Sequence, residues 1–179
     1  DQKILVDAGR GATIRLSQTG VPIGRIDVQL LTHYHSDHTS GIPDIWLTGW
    51  LESHFGTRKM PYRVIGPTGA RELMANLERA YALDIKIRIA DEKLPLSGIA
   101  TNVTEFDRDG VVYEKNGLKV IAFEVDGVPH RWAVWGRGNL DRARLVADTT
   151  RIVRTEKALF GELPYRAFTF ILHLLPGGS

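Results

Sequence analysis

The stretch Leu-Leu-Thr-His-Tyr-His-Ser-Asp-His-Thr-Ser-Gly, residues 30–41, decides the fold and the chemistry of this chain. It places four side chains that can bind divalent metals, His33, His35, Asp37 and His38, within six residues. Neutral imidazole and carboxylate suit zinc and its divalent neighbours, and a catalytic ion takes about three protein ligands beside an open water position. Four donors exceed what one open site needs, so the stretch predicts a two-metal site.

The spacing divides the four donors into two pairs. An extended strand that ends at Leu31 would place His33 and His35 on one side, and a tightening turn would bring Asp37 and His38 to a neighbouring point. One ion would then bind the first pair and a second ion the other. The alternative is a polar surface loop whose histidines are there by chance. Against it, three of the chain's six histidines lie in this loop, directly after an apolar strand.

The composition predicts one domain over residues 1–179, or most of a larger one, because 179 residues with 43% hydrophobic content can bury a sizeable core. No apolar run long enough to span a membrane and no secretion signal is visible, so we expect a soluble protein, with the cytoplasm as the default location. The absence of cysteine from the sequence excludes disulfides and thiolate ligands. Coordination is left to His, Asp and Glu.

The charge is unevenly spread along the chain. Residues 1–126 carry 15 basic and 17 acidic groups, a net −2, and residues 127–179 carry 8 and 4, a net +4. Such an asymmetry is found on surfaces that face nucleic acid, and it is also found where arginines simply lie on a solvated face. The charge alone does not choose between the two.

Hydrophobic periodicity predicts strands alternating with helices in the first half of the chain. The predicted strands are residues 3–6, 26–31, 63–67 and 85–89, and the predicted helices are one that ends near Gly20, one over 42–50, and one that follows Thr68 and runs to Tyr81. Apolar runs on either side of Asn116-Gly117 predict a β-hairpin over residues 111–125. Later residues predict strands at 131–135 and 143–147 and a short helix at 155–163. The result is a mixed α/β fold with a substantial antiparallel component.

With the histidine loop placed at the end of a strand, the chain resembles the metallo-β-lactamase superfamily, whose signature is this H-x-H-x-D-H motif. Leu5-Val-Asp-Ala-Gly resembles the strand and turn that precede the motif, and Val64-Ile-Gly-Pro-Thr-Gly resembles the middle segment of the branch that contains ribonuclease Z and arylsulfatase-like hydrolases. The resemblance covers roughly residues 3–126. It implies an αββα sandwich in the α/β (α+β) class, and we expect this chain to hold an incomplete one.

The resemblance assigns roles to the motif. It implies that His33 and His35 bind the first metal and that Asp37 and His38 bind the second, with Asp37 also acting on the reactive water. Asp7 would orient a ligand imidazole through a hydrogen bond. The alternative is that Asp7 is an ordinary turn residue beside Gly9. The expected cofactor is Zn²⁺, as two ions, with Mn²⁺ or Fe²⁺ as alternatives.

Three further residues receive roles from the resemblance, each with a plainer alternative. Asp148 would be a strand-end aspartate that bridges the two ions, or an ordinary turn aspartate. His130 would replace the third histidine of the first metal, or lie on the surface. His173, in a strand like Phe170-Ile-Leu-His, would be catalytic, or a strand histidine without a role.

The function implied is a metal-dependent hydrolase that directs an activated water at a phosphodiester, sulfate ester or lactone. Small-molecule esters are the expected substrates, and RNA is the second choice. We expect no association with membranes, and the resemblance is compatible with a homodimer. A metal-binding remnant with little activity and an RNA-processing endonuclease of the ribonuclease Z type are the alternatives. The short length and the divergent residues 127–179 predict a fragment, with an altered reading frame beyond Asp126.

Overall fold

The computed structural model describes residues 2–136 and 138–174. By their contacts the residues divide into two compact units, 1–107 and 108–179. The division lies at residue 107, upstream of residue 126 where the charge of the sequence changes sign. That both units form one domain stays a prediction.

The described part of the first unit contains a parallel sheet. Its strands, in sheet order, are β1 (Ile4–Val6), β2 (Val28–Leu30), β3 (Tyr62–Pro67) and β4 (Thr101–Phe106), and each neighbouring pair is parallel. Parallel neighbours require crossover connections, which here contain helices. These are α1 (Ala12–Gln18), α2 (Ser36–Thr39), α3 (Ile42–Trp50), α4 (Ala70–Ala80), α5 (Ala82–Asp91) and α6 (Leu96–Ile99), with a 3₁₀ turn at Ile23–Arg25.

The core of this unit fixes the position of the histidine loop. Every residue of β2 is buried, as expected of a strand covered on both faces. Leu31, which follows it, is fully buried and donates its backbone N–H to the carbonyl of Ile65 on β3 at 2.8 Å. Behind it, α3 packs Ile42, Ile45 and Trp46 into the core with no exposed surface. The loop therefore leaves the carboxyl end of a fully buried strand.

The prediction of a strand at residues 85–89 is wrong, because these residues lie in helix α5. The alternation of Ile85, Ile87 and Ile89 with charged residues fits the two-residue period of a strand, and the spacing of Ile85 and Ile89 also fits one turn of a helix. In the helix Ile85 and Ile89, four residues apart, pack on the core of the unit, while Ile87 is 50% exposed. Arg88 pairs with Asp84 at 3.0 Å and with Glu92 at 2.7 Å, both at helical spacing.

The described part of the second unit contains a mixed sheet in the order β5 (Gly110–Lys115), β6 (Leu118–Val125), β7 (Val128–Gly136) and β8 (Phe168–Leu174). The first three strands are antiparallel and β8 is parallel to β7. The hairpin predicted at Asn116-Gly117 is confirmed, and both residues have positive φ. Asp126-Gly127 forms a second such turn between β6 and β7, also with positive φ at both residues.

The prediction of a strand at 143–147 and a helix at 155–163 is wrong, because one long helix, α7 (Arg142–Phe160), covers this region. The side chain of Asp141 caps it by accepting from the backbone N–H of Arg144 at 3.0 Å. Val146, Thr149 and Val153, at helical spacing, form its inner face with Trp132 and Phe170 of the sheet. Apolar residues that suggest a short strand in isolation are here the buried side of a helix.

The two sheets and their helices confirm the predicted mixed α/β class. In the part of the chain that the structure describes, no helix combines the length and apolar character needed to cross a membrane.

Candidate metal centre

The four motif side chains lie at the carboxyl end of β2, where the chain turns into helix α2. His33 and His35 come before the helix, and His35, with extended backbone, occupies the N-cap position without a capping bond from its side chain. Asp37 and His38 lie within the helix. The backbone N–H of His38 donates to the carbonyl of His35 at 2.9 Å, and this tight turn folds the second pair back towards the first.

His33 and His35 converge on one point. Nε2 of His33 lies 2.9 Å from Nδ1 of His35, and the two rings meet edge to face with centroids 4.6 Å apart. Two nitrogen ligands of a tetrahedral zinc ion, each about 2.0–2.1 Å from the metal, lie roughly 3.3 Å apart. At 2.9 Å the two nitrogens are at hydrogen-bonding distance, about 0.4 Å closer than two ligands of a tetrahedral zinc ion. A shared ion would take the place of the proton between them and move the rings slightly apart.

Asp37 and His38 form the second pair. Oδ2 of Asp37 lies 3.6 Å from Nε2 of His38. The rings of His33 and His38 are adjacent, with centroids 4.2 Å apart, so the two pairs are neighbours in one cluster. The side chain of Asp37 is 69% exposed, which leaves it accessible to solvent and substrate.

Asp7, in the turn after β1, holds this cluster from behind. Its Oδ2 accepts from Nδ1 of His38 at 2.8 Å and from the hydroxyl of Thr32 at 2.7 Å, and its Oδ1 accepts from the backbone N–H of Thr32 at 2.7 Å. Of the two alternatives for Asp7, the structure shows the contact with an imidazole of the motif, and the role of that imidazole as a metal ligand stays a prediction. The carboxylate of Asp7 is itself mostly buried, with 15% of the side chain exposed.

These contacts assign the protons on the two rings. The carboxylate of Asp7 only accepts, so the single proton of the Thr32 hydroxyl is donated to it. Thr32 Oγ1 lies 2.8 Å from Nδ1 of His33 and must accept there, which places the His33 proton on Nδ1. By the same logic His38 carries its proton on Nδ1 towards Asp7. Both rings are left with a lone pair on Nε2, the atom that faces the cluster.

Burial and the neighbouring histidines favour the neutral form of His33 by lowering its pKa. Burial lowers the pKa of His33 below its ordinary value, and the neighbouring His38 and His35 add to the decrease, partly opposed by Asp7 and Asp37. Only the neutral imidazole can bind a metal, so the lowered pKa favours coordination near pH 7.

Two glycines allow the turn at Asp7 to contact α2. The backbone N–H of Ala8 donates to the carbonyl of His38 at 2.8 Å, and that of Gly41 donates to the carbonyl of Ala8 at 2.7 Å. A Cβ on Gly9 would lie 2.0 Å from the backbone oxygen of Asp37, and one on Gly41 would lie 2.5 Å from that of Gly9. Only glycine fits at these approaches.

The donor set fits divalent metal ions in its chemistry. It offers neutral imidazole nitrogens and a carboxylate, the ligands that zinc, manganese and iron accept in proteins. The donors converge as two pairs. Within residues 2–136 and 138–174, no group of three or more His, Asp or Glu side chains is placed so that it could hold one ion. A complete site would thus need further donors or water.

His130 lies in the second unit, fully buried in β7. Its Nδ1 donates to the carbonyl of Val128 at 2.8 Å, and its Nε2 lies 3.2 Å from the hydroxyl of Tyr165. Both ring nitrogens thus have protein partners, and the surface position that the sequence allowed is wrong. The ligand role stays a prediction, and it would require Nε2 to exchange Tyr165 for a metal.

Asp148 does not stand at the end of a strand, and this premise of its bridging role is wrong. It lies within α7, where its carboxylate pairs with Arg144 at 3.6 Å and with Arg151 at 3.1 Å. The motif-like Leu-Val-Ala-Asp-Thr-Thr sequence is helical because its apolar residues have a neighbouring sheet to pack on. Metal bridging by Asp148 stays a prediction.

His173 lies in β8, as the sequence predicted, with its ring 5.6 Å from that of Trp135 on the paired strand. Its side chain is exposed. The catalytic role assigned to it stays a prediction.

Sequence reasoning missed Thr32. The residue lies at the end of the buried strand, directly before the first histidine, and it connects Asp7 to His33. A hydroxyl at this point was a usable signal, because a histidine ligand commonly needs a partner for its second nitrogen.

Comparisons with known proteins agree with the fold and the motif. A sequence model of the metallo-beta-lactamase superfamily matches residues 1–132. The chain belongs to the metallo-beta-lactamase superfamily.

Among curated proteins, the chain is similar to ribonuclease Z from Mycolicibacterium gilvum, with 36% identity over 130 residues, which are 73% of this chain and 44% of the relative. It is also similar to ribonuclease Z from Mycobacterium marinum, with 32% identity over 145 residues, which are 81% of this chain and 51% of the relative. The chain spans about half the length of these relatives. The predicted resemblance to the ribonuclease Z branch is confirmed.

Among solved structures, the chain is similar to the short form of human tRNase Z, with a TM-score of 0.54 and 16% identity over 96% of this chain and 85% of that one. It is also similar to the metallo-beta-lactamase fold protein YhfI from Bacillus subtilis, with a TM-score of 0.50 and 17% identity over 83% of this chain and 56% of that one. At these identities the similarity shows the fold alone.

Proposed function

We propose that this protein is a metal-dependent hydrolase that cleaves phosphodiester bonds in RNA. The observation that carries the proposal is the arrangement of the motif, in which His33 faces His35 and Asp37 faces His38 at 2.9 and 3.6 Å. Each pair would bind one divalent ion, with zinc as the first candidate. The fixed Nδ1 protons of His33 and His38 support this, because they leave Nε2 ready to coordinate.

Divalent ions bound at the two pairs would lower the pKa of a coordinated water towards neutrality and polarise a phosphoryl oxygen. The protein's own groups would supply orientation and proton transfer. Asp7 and Thr32 hold the rings of His38 and His33 against rotation through hydrogen bonds of 2.7–2.8 Å. Asp37, largely exposed at the open side of the cluster, would accept the proton that the attacking water releases.

The choice of RNA follows from the relatives. Both curated proteins described above are ribonucleases, and their similarity extends over more than two thirds of this chain. The superfamily motif by itself would serve other ester-type bonds equally well. The small-molecule esters, lactones and sulfate esters that the sequence favoured therefore become comparison substrates.

A substrate panel with chelator reversal tests this proposal. The purified chain is incubated with a single-stranded RNA, bis(p-nitrophenyl) phosphate, an aryl sulfate and a lactone, before and after metal removal and zinc or manganese return. We expect chelator-sensitive, metal-restored cleavage of the RNA and of the phosphodiester. Activity confined to the lactone or the sulfate would overturn the substrate class, and no cleavage by the metal-loaded chain would overturn the hydrolase.

Matched histidine variants connect the activity to the motif. His35→Ala removes one nitrogen of the first pair and should abolish cleavage. His54→Ala removes a histidine of the same unit outside the motif and should leave cleavage unchanged. The protein would be an RNA-binding module instead if the wild type did not cleave RNA and both variants bound RNA equally well.

A further inference from the structure

Tyr34 stands between His33 and His35, and its side chain does not join the cluster. Its hydroxyl donates a hydrogen bond to the backbone carbonyl of Pro67, at the end of β3. The residue thus ties the peptide between the two histidines to the turn that connects β3 to α4. It is 38% exposed.

The ring of Tyr34 lies against a glycine in that turn. Gly69 has a φ of +108°, and a Cβ built there would come within 3.3 Å of Cε2 of Tyr34. The ring of Tyr34 therefore fits here because residue 69 has no side chain. The positive φ of Gly69 also favours glycine.

The turn that receives Tyr34 is itself held in place. Oε1 of Glu105, at the end of β4, accepts from the backbone N–H groups of Gly69 and Arg71 at 2.8 and 2.9 Å. These two hydrogen bonds lower the pKa of Glu105, and the bond from Arg71 has the larger effect. A lowered pKa is expected of a carboxylate at the start of a helix. Because β3 and β4 pair along six residues each, the anchor is part of the sheet.

The two metal-binding pairs share the support of Asp7, which bonds to His38 directly and to His33 through Thr32, and they differ in a second support. Asp37 and His38 belong to α2, and His38 is bonded to Asp7. The peptide that carries His33 and His35 is tied to the β3–α4 turn through Tyr34.

We propose that Tyr34 is a positioning residue that sets the metal affinity of the His33–His35 pair and leaves that of the Asp37–His38 pair unchanged. The proposal rests on the proposed function, since it requires that both pairs bind metal. It concerns a residue whose side chain is bonded to Pro67 outside the cluster and which would act through the backbone of its two neighbours.

Stepwise metal titration of Tyr34→Phe tests the proposal. Zinc binding is measured against a chromophoric chelator, and Co²⁺ is titrated separately while its visible absorption is recorded for each equivalent. We expect one of the two metal equivalents to bind about ten-fold more weakly to the variant than to the wild type. This is the lower end of the loss seen when a hydrogen bond that supports a metal ligand is removed. The Co²⁺ absorption of that equivalent should shift, while the other equivalent keeps its affinity and spectrum.

Two controls separate positioning from general loss of stability. Tyr81→Phe deletes the same hydroxyl from a partly exposed tyrosine of the same unit and should change neither equivalent. Gly69→Ala should weaken the same equivalent as Tyr34→Phe, because its Cβ would press on the ring at 3.3 Å. Gly20→Ala, also at a positive φ (+71° against +108° at Gly69), has open space around it and should not weaken it.

The outcomes distinguish this proposal from the function on which it rests. If the wild type binds two ions and Tyr34→Phe titrates identically, the positioning role is overturned and the hydrolase stands. Equal weakening of both equivalents, together with a lower unfolding temperature of the metal-free protein, would also overturn it, as a fold effect. A wild type that binds no metal would overturn both proposals.

Discussion

Oδ2 of Asp7 accepts a hydrogen bond from Nδ1 of His38 at 2.8 Å across a sequence separation of 31 residues. The contact joins the turn after β1 to the helix that follows the motif, and the same carboxylate also binds Thr32. It orients the imidazole of His38 so that Nε2 faces Asp37. The geometry of the second pair therefore depends on a residue outside the motif.

Replacing Asp7 with Asn should weaken metal binding. The amide keeps the size of the side chain, but its NH₂ group cannot accept, so at least one bond to Thr32 or His38 is lost. We expect a loss of 10–100-fold in zinc affinity, measured by competition with a chelator. Asp91→Asn, at an exposed position of the same unit, is the control. Equal affinity in both variants would contradict the role of Asp7.

Replacing Gly9 with Ala should disturb the motif directly. The new Cβ would come within 2.0 Å of the backbone oxygen of Asp37, which cannot move without shifting α2. Gly11→Ala, in the same turn, meets nothing within 4 Å and carries only the penalty of its positive φ, about 1 kcal/mol. Gly9→Ala should therefore lower both the unfolding temperature and the zinc affinity more than Gly11→Ala. An identical effect of the two substitutions would show that the contact with Asp37 is unimportant.

Arg58 should contribute strongly to the stability of the first unit. Its side chain is 5% exposed and donates to the carbonyls of Gly98, at 3.0 Å, and Trp46. Burial lowers its pKa to about 10, so it remains charged at neutral pH. Arg58→Met leaves both carbonyls without this donor and should cost about 2–4 kcal/mol in the free energy of unfolding, measured with denaturant. Lys59→Met, at the exposed neighbour, should change it by less than about 0.5 kcal/mol.

Acidification should destabilise the protein through His130. Burial lowers its pKa below 6.5, so the unfolded chain binds a proton more readily than the folded one. This contribution to the free energy of unfolding is complete above pH 6.5, falls as the pH decreases, and levels off below the lowered pKa. Denaturant unfolding at several pH values between 7.5 and 5 measures it.

His130→Gln is the comparison, because glutamine cannot titrate in this range. The contribution of His33, which has the same sign, is common to both proteins and cancels in the difference. The variant should lose less stability than the wild type between pH 7.5 and 5. Parallel curves would contradict the assignment to His130.

The sequence predicts the parts of this protein whose structure is decided locally. The two pairs of motif donors, helix α3, helix α4 and the hairpin at Asn116-Gly117 follow from residue spacing, from Pro43 at the start of α3 and from turn chemistry. The structure agrees with the two helices and the hairpin, and it brings the motif donors together in the expected pairs, whose metal binding stays a prediction. Asp7 could be singled out from its place before the motif, although only the structure shows which imidazole it contacts.

The errors arise where tertiary contacts decide between periodicities. Ile85–Ile89 and Ala143–Ala147 are short apolar segments that suit a strand, and both become helices because the adjacent core accepts residues three to four positions apart. The family resemblance places Asp148 at the end of the predicted 143–147 strand, and this placement is wrong because the same residues form helix α7. The anchoring of Tyr34 on Pro67 was out of reach of the sequence, since it depends on the register of β2 beside β3.

The central claim is that the motif binds metal as two pairs, and the stoichiometry of bound zinc tests it most directly. Elemental analysis after equilibrium dialysis gives the ions per chain for the wild type, His35→Ala and His38→Ala. The account predicts two ions for the wild type and one for each variant. A wild type that binds no zinc, manganese or iron under these conditions would contradict it.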